Sequence, residues 1–304
     1  MTTSLRRVLG ALLALATFAA SAAEPQTPPA PRLDGEMSRQ QDIYRSRGAA
    51  TPTGYTIDRA LETYARGLNA GFLRTLAGLG SADRWLDIGA GEGRAVIDYC
   101  TAPAYAMPDG FEPHGGSRAK AVAMSIEDRR TDQWYRAISG LPGGQMEYIF
   151  GKPMGEYASG ELGQFQLITD VMGGFSYTTR LSSFMERALD ALTVNGSFYT
   201  VLADVHAEST SNPPHYEGDP HLTRIVAADG SEVKICNWLK RIGCVEVSCE
   251  FKSDWTPPIE SYRIRKVCAD VKVPALQLVH FRSGTPPERR FMLIEGAAPS
   301  AAAK

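Results

Sequence analysis

The stretch RWLDIGAGEGRAVIDY, Arg84 to Tyr99, decides how the rest of the chain is read. Arg84 to Asp87 end a buried strand, Gly89, Gly91 and Gly93 follow at every second position, and beyond them the polarity turns helical. Strand, glycine-rich turn and helix start make a unit whose backbone can approach a ligand, because a Cβ at Gly89 or Gly91 would take the ligand's room. The N–H groups at the helix start face the same space. A dinucleotide fingerprint, G-x-G-x-x-G, would need its third glycine where Arg94 stands, so a nicotinamide oxidoreductase ranks third among the readings.

The pattern resembles motif I of the class I S-adenosylmethionine-dependent methyltransferases, a hydrophobic strand with an acidic residue two positions before the first glycine of G-x-G-x-G. Asp87, Gly89, Gly91 and Gly93 match it position for position. In order of elements the resemblance runs from about Thr56 to Ile294, and motif I is its specific part. It implies an α/β fold, a seven-stranded, mostly parallel, doubly wound sheet of the class I methyltransferase type, here with an added C-terminal β-hairpin. It also implies S-adenosyl-L-methionine as cofactor and methyl transfer to an unidentified small-molecule acceptor. The alternative is an exported, non-enzymatic binding protein on a degenerate methyltransferase fold.

Further site residues follow from the resemblance. The second strand, Lys120 to Ile126, ends at Glu127, which takes the place of the carboxylate that binds both ribose hydroxyls, with Asp128 behind it. Glu112 suits the family's spacing better but lies in turn-forming sequence. After the third strand, Met146 to Phe150, no acidic residue comes before Glu156, which leaves the adenine to main-chain groups and to packing against Ile126 or Met154. The fourth strand, Phe165 to Thr169, delivers Asp170 at motif IV; the segment D-V-M-G-G-F there lacks the N-P-P-Y of enzymes that methylate exocyclic amines. Asn212-Pro213-Pro214-His215 follows the fifth strand and is read as a coincidence.

The polar loop from Ala203 to His221 holds His206, His215 and His221, three of five histidines, where small-molecule methyltransferases often bind the acceptor. A histidine titrating near neutrality can deprotonate an acceptor, which makes His206 and His215 the catalytic candidates. None of these histidines has i, i+4 spacing, and no cysteines stand as C-x-x-C, so no metal site is expected.

Around this frame, Thr56 reads as the N-cap of one helix carrying Leu61, Tyr64, Leu68, Phe72 and Leu76 on its apolar face as far as Gly78 or Gly80. A helix from Gly93 to about Ala102 follows motif I. Another runs from Leu181 to Leu192, closed by Asn195-Gly196, before a fifth strand at Ser197 to Leu202. Ser231 reads as the cap of a helix bearing Ile235, Trp238, Leu239 and Ile242. Strands are expected at Cys244–Phe251, Ile264–Val271, Leu276–Phe281 and Phe291–Ile294, two of them completing the sheet with the last antiparallel.

The chain has 304 residues, 43% of them hydrophobic and 22% charged, with a formal net charge of −2, which describes one main globular domain and disfavours a nucleic acid partner. Arg6 and Arg7, the apolar run Val8 to Ala20 and the small-residue site Ala20-Ser21-Ala22 describe a signal peptide over residues 1–23. Residues 24–55 read as a proline-rich linker with a short helix from Met37, residues 56–296 as the methyltransferase-like domain and 297–304 as a flexible tail. No stretch of the mature chain is long and apolar enough to be transmembrane. The expected location is the periplasm or the exterior, or the cytoplasm if translation starts at Met37. Export would separate an enzyme from a donor made in the cytosol, unless the arginine pair marks a route for folded proteins.

Five cysteines are present, Cys100, Cys236, Cys244, Cys249 and Cys268. One disulfide among the last four is expected. Cys244 and Cys249 lie on opposite faces of one strand, so Cys268 with either of them is the better pairing.

Overall fold

A computed structural model describes residues 33–46, 59–101, 118–202, 222–255, 258–284 and 287–294. The signal peptide, most of the linker, Thr56, Glu112, the tail and the loop bearing His206, His215 and His221 lie outside the described residues.

Helices α1 (Asp34–Ser46), α2 (Leu61–Gly67) and α3 (Phe72–Ala77) come first. Then follow β1 (Arg84–Ile88), α4 (Arg94–Thr101), β2 (Lys120–Ser125), α5 (Asp132–Ser139), β3 (Met146–Phe150) and a 3-10 turn at Met154–Glu156. Next are β4 (Phe165–Val171), α6 (Gly174–Tyr177), α7 (Leu181–Asp190) and β5 (Leu192–Leu202). The remainder is β6 (Thr223–Val226), β7 (Glu232–Val233), α8 (Ile235–Leu239), β8 (Val245–Lys252), β9 (Ile259–Lys266), β10 (Leu276–Arg282) and β11 (Glu288–Leu293).

The main sheet has seven strands in the order β3-β2-β1-β4-β5-β9-β8. The first five are parallel, and β9, the last of this sheet's strands in sequence, runs antiparallel to both β5 and β8. This is the seven-stranded, mostly parallel sheet that the resemblance implies. Strand order reverses between β1 and β4, so the crevice beyond their C-terminal ends is the switch point where open α/β sheets take ligands.

Helices cover both faces of the sheet, and its central strands are accordingly buried along most of their length rather than alternating. Successive β1 residues point to opposite layers. Leu86 and Ile88 join the layer that holds α7, α8 and the second sheet, whereas Trp85 joins the one that holds α2, α3 and α4. Asp87 falls on the same side as Trp85, and this parity brings its carboxylate under α2.

Several elements differ from expectation for identifiable reasons. The single helix from Thr56 to Gly78 is two, α2 and α3. Between them Ala70 N–H donates to the Glu250 carboxylate at 2.9 Å and Asn69 Nδ2 donates to Ser248 Oγ at 3.3 Å, so strand β8 captures groups an unbroken helix would keep. The apolar stripe survives the break, since Leu61, Tyr64, Leu68, Phe72 and Leu76 are all buried. Asn195-Gly196 does not close a helix. It lies inside β5, where Asn195 takes φ 69° and the pairing with β4 shifts register, so β5 begins five residues before Ser197. Ser231 caps no helix either; its Oγ donates to Asp229 Oδ1 at 2.6 Å in the turn between β6 and β7, and α8 starts after Lys234.

The expected C-terminal hairpin exists as β10 and β11, but β6 and β7 extend it into a four-stranded sheet, β10-β11-β6-β7. Two disulfides are present where one was expected, Cys244–Cys268 and Cys236–Cys249, and Cys100 is free and buried. Among the described residues no helix is long and apolar enough to cross a membrane.

Candidate functional site

The loop after β1 carries Gly89, Gly91 and Gly93 at φ 71°, 57° and 81°, all in the left-handed region that side chains resist. Ala90 N–H donates to Met124 O at 3.0 Å, which ties the loop to the end of β2, and Tyr148 Oη donates to Gly91 O at 2.6 Å from β3. Two of the glycines are required by the protein's own packing. A Cβ on Gly89 would lie 2.5 Å from Gly173 Cα, and one on Gly93 would lie 2.5 Å from the Trp134 ring. At Gly89 the absence of a side chain makes way for the turn that follows β4.

That turn and the loop are fixed from below by two carboxylates. Asp87 accepts from Tyr64 Oη at 2.9 Å and from Thr169 Oγ1 at 2.7 Å, while Trp85 Nε1 donates to the same Thr169 oxygen at 2.8 Å. Asp170 accepts from the N–H groups of Gly173 and Phe175, both at 3.0 Å. Both aspartates have 0% exposure. Burial pushes each carboxyl up to about 7; hydrogen bonds from Thr169 and Tyr64 oppose this at Asp87 and backbone N–H groups at Asp170. The Tyr64 hydroxyl is driven well above the usual tyrosine range, first by burial and then by the Asp87 charge. Asp87 and Asp170 thus come together beneath the loop, and what they hold is backbone and the α2 tyrosine.

Glu127 stands two residues beyond β2 and is paired with Arg129 at 2.8 Å. Asp128 has both oxygens taken by Arg130, at 2.8 and 2.6 Å, and that bond holds its carboxyl below the usual carboxylate range. The Arg130 guanidinium also lies 5.2 Å from the Phe150 ring centre and 5.9 Å from that of Tyr148. Of the two residues expected to pack on an adenine, Ile126 is 42% exposed and faces out, whereas Met154 is 3% exposed and belongs to the core. Met154 is therefore withdrawn from the site. Beside the end of β3 lies a cleft of about 530 Å³ lined by Tyr148, Phe150, Lys152, Tyr157 and Glu161.

Residues that the sequence did not single out complete the arrangement. Tyr64 hides in an apolar stripe, and its role shows only once α2 is laid over β1. Asp98 of α4 accepts from Leu61 N–H at 3.1 Å and from Arg94 Nε at 2.8 Å, anchoring α2 to the helix that follows the glycine loop. Arg289 of β11, 1% exposed, donates to Phe175 O at 3.0 Å, Thr178 O at 2.8 Å and Thr223 Oγ1 at 2.7 Å. It fastens α6, and with it the turn that packs on Gly89, to the second sheet. Only the sequence run of polar residues in a strand could have hinted at it.

No family model matches the chain, and no curated protein does. Among solved structures it is similar to an rRNA methylase from Streptococcus thermophilus, with 11% identity, a TM-score of 0.39, and coverage of 64% of this chain and 94% of that one. It is also similar to phosphoethanolamine N-methyltransferase 2 from Haemonchus contortus in complex with S-adenosyl-L-methionine, with 12% identity and a TM-score of 0.31, over 47% of this chain and 31% of that one. What the site can do follows from its own geometry.

Proposed function

We propose that this chain is an S-adenosylmethionine-dependent methyltransferase acting on a small-molecule acceptor. The observation that carries the reading is the coincidence of the Asp87-x-Gly89-x-Gly91-x-Gly93 loop with the switch point between β1 and β4. The residues present fit such a donor: a left-handed glycine loop for close backbone approach, a carboxylate at Glu127 for ribose hydroxyls and an outward-facing Ile126 for a purine face.

Bound S-adenosylmethionine would supply a methyl group already activated on a sulfonium. The chain's own work is then positioning. Asp87, through Tyr64 and Thr169, keeps α2 and β4 in fixed relation to β1, and Asp170 holds the Gly173 turn that packs on Gly89. Glu127 would orient the nucleoside. His206 and His215 remain our candidates for removing a proton from the acceptor.

We also propose that the protein works outside the cytosol. The signal-like N-terminus and two disulfides in the C-terminal third support this, since such bonds persist in oxidising compartments. A start at Met37 would remove the first turn of α1, including Glu36, whose carboxylate accepts from Ser283 N–H at 3.2 Å and from its hydroxyl at 3.1 Å.

Calorimetric titration of the full chain with S-adenosylhomocysteine tests the enzymatic reading. Saturable binding is expected, and folded protein that takes up none at millimolar ligand would sink it.

A further inference from the structure

We propose that Cys236, Cys249 and Glu260 form a zinc site in the reduced chain, so that the ion and the Cys236–Cys249 disulfide are alternative clasps between α8 and strands β8 and β9. The proposal stands apart from the methyltransferase reading, since none of the three residues belongs to the glycine loop or to the turn after β4. Their ligand atoms, two sulfurs and a carboxylate oxygen, all lie within 4.8 Å of one another. Cys249 and Glu260 are half-buried, and Cys236 is 9% exposed. Strand register explains the convergence. Cys249 pairs with Tyr262, so both side chains stand on one face of the sheet, and Glu260, two residues before Tyr262, stands on that face as well. Cys236 reaches the group from α8, which packs in the same layer as Tyr262 and Cys249. Each ligand comes from its own element, which is why the cysteine spacing carries no metal signal.

Two thiolates and a carboxylate suit Zn²⁺, with three protein ligands and a fourth position for water. Tyr262 Oη donates to Glu260 Oε2 at 2.7 Å, the kind of outer bond that orients a ligating carboxylate. The disulfide has no use for that carboxylate, having neither a proton to donate nor a charge to offset. Exchange with a dithiol reductant changes this: the disulfide takes up two electrons and two protons, the dithiol is oxidised to its own disulfide, and binding of Zn²⁺ releases the two thiol protons to water. Exchange of the thiolates with an oxidised dithiol runs the other way and frees the ion. The Cα atoms of Cys236 and Cys249 are 6.2 Å apart, so rotation about the Cα–Cβ bonds lets both sulfurs flank an ion at about 2.3 Å from each. Cys244–Cys268 serves as the internal control, because among the described residues no third ligand atom stands as close to that pair.

For the test, the full chain is reduced with a dithiol, freed of it by gel filtration without oxygen and titrated with Zn²⁺ against a chromophoric chelator. Reduced protein should take up one ion per chain and oxidised protein none, and the bound ion should raise the melting temperature of the reduced protein because it holds the folded state. Co²⁺ in place of Zn²⁺ should show thiolate-to-metal charge transfer. Glu260→Gln leaves the disulfide in place, and in the reduced state it should bind Zn²⁺ about tenfold or more weakly. A folded variant with both Cys244→Ser and Cys268→Ser should bind as the wild type does. Reduced wild-type protein that takes up no Zn²⁺, or takes it up without a gain in melting temperature, overturns the proposal. So does undiminished binding by Glu260→Gln, or loss of binding in the folded Cys244→Ser, Cys268→Ser variant, which moves the ion to the other pair.

Discussion

Gly89 and Gly173 meet backbone to backbone: a Cβ on the first would lie 2.5 Å from the Cα of the second, and a Cβ on the second would lie 2.7 Å from Ile88 O. The contact joins the loop after β1 to the turn after β4 across the switch point, so neither can move alone. Gly89→Ala combines a left-handed φ with this collision and should destabilise the protein by about 2 kcal/mol or more in urea unfolding. Gly144 has φ 79° with nothing within 4 Å of its would-be Cβ, and Gly144→Ala should cost only about 1 kcal/mol, the backbone share. Equal costs for the two variants would mean that the contact is looser than it is here.

Asp87 and Asp170 give a pH signature. Burial raises each from 3.8 to about 7, so between those values the unfolded chain has released protons that the folded protein keeps. The unfolded state then binds fewer protons, and stability falls as pH rises through the window. These two groups thus contribute fully below about pH 4, and their contribution is lost as pH rises through about 7. Asp87→Asn and Asp170→Asn abolish one titration each. Melting temperatures of wild type and variants, measured in parallel from acid to neutral pH, should show the wild type losing ground relative to each variant. A constant difference would place both carboxyls in an ordinary, ionised state.

The strand–glycine–helix unit was legible because its signal is local: β1 and α4 fall where Arg84–Tyr99 puts them, and β3 matches Met146–Phe150 residue for residue. What was not legible depends on partners distant in sequence. Leu61 to Leu76 has an unbroken helical stripe, yet Glu250 and Ser248, about 180 residues on, split it. Residues 223–233 carry too little apolar pattern to announce β6 and β7, which exist because β11 offers an edge to pair with. In the candidate site, Asp87 and Asp170 were visible as acids at strand ends, but their 0% exposure and their partners, the Tyr64 and Thr169 side chains for the first and the Gly173 and Phe175 N–H groups for the second, come from the tertiary structure. Arg289 belongs to no motif, and only the tertiary structure gives it partners.

The disulfides make a prediction that also bears on location. Cys236–Cys249 closes a separation of 13 residues and Cys244–Cys268 one of 24, each worth about 3 kcal/mol on loop entropy alone. Protein unfolded without reductant and treated with an alkylating agent should be labelled once, at Cys100, and five times after reduction. Reduction should also lower the melting temperature. Unfolded protein that takes up five labels without reductant would remove the disulfides and, with them, the main structural support for export.

Glu127 and Asp128 are neighbours with different prospects, and substituting each separately tells them apart. Both oxygens of Asp128 are engaged by Arg130, whose backbone N–H adds a third bond at 3.1 Å. Among the described residues Glu127 contacts Arg129, with side-chain exposures of 12% for the arginine and 36% for the glutamate. Its carboxylate is the water-exposed end of the pair, so a ribose can share it while Arg129 stays in place. A carboxylate accepting from both ribose hydroxyls gains roughly 1.5 to 3 kcal/mol per bond. Glu127→Ala should therefore weaken S-adenosylhomocysteine binding by about tenfold or more while leaving the melting temperature nearly unchanged. Asp128→Ala should alter affinity by less, since its role is to hold Arg130 beside Tyr148 and Phe150. If Asp128→Ala proves the more damaging to binding, the ribose contact belongs to Asp128, and the Arg130 pair must open when the ligand enters.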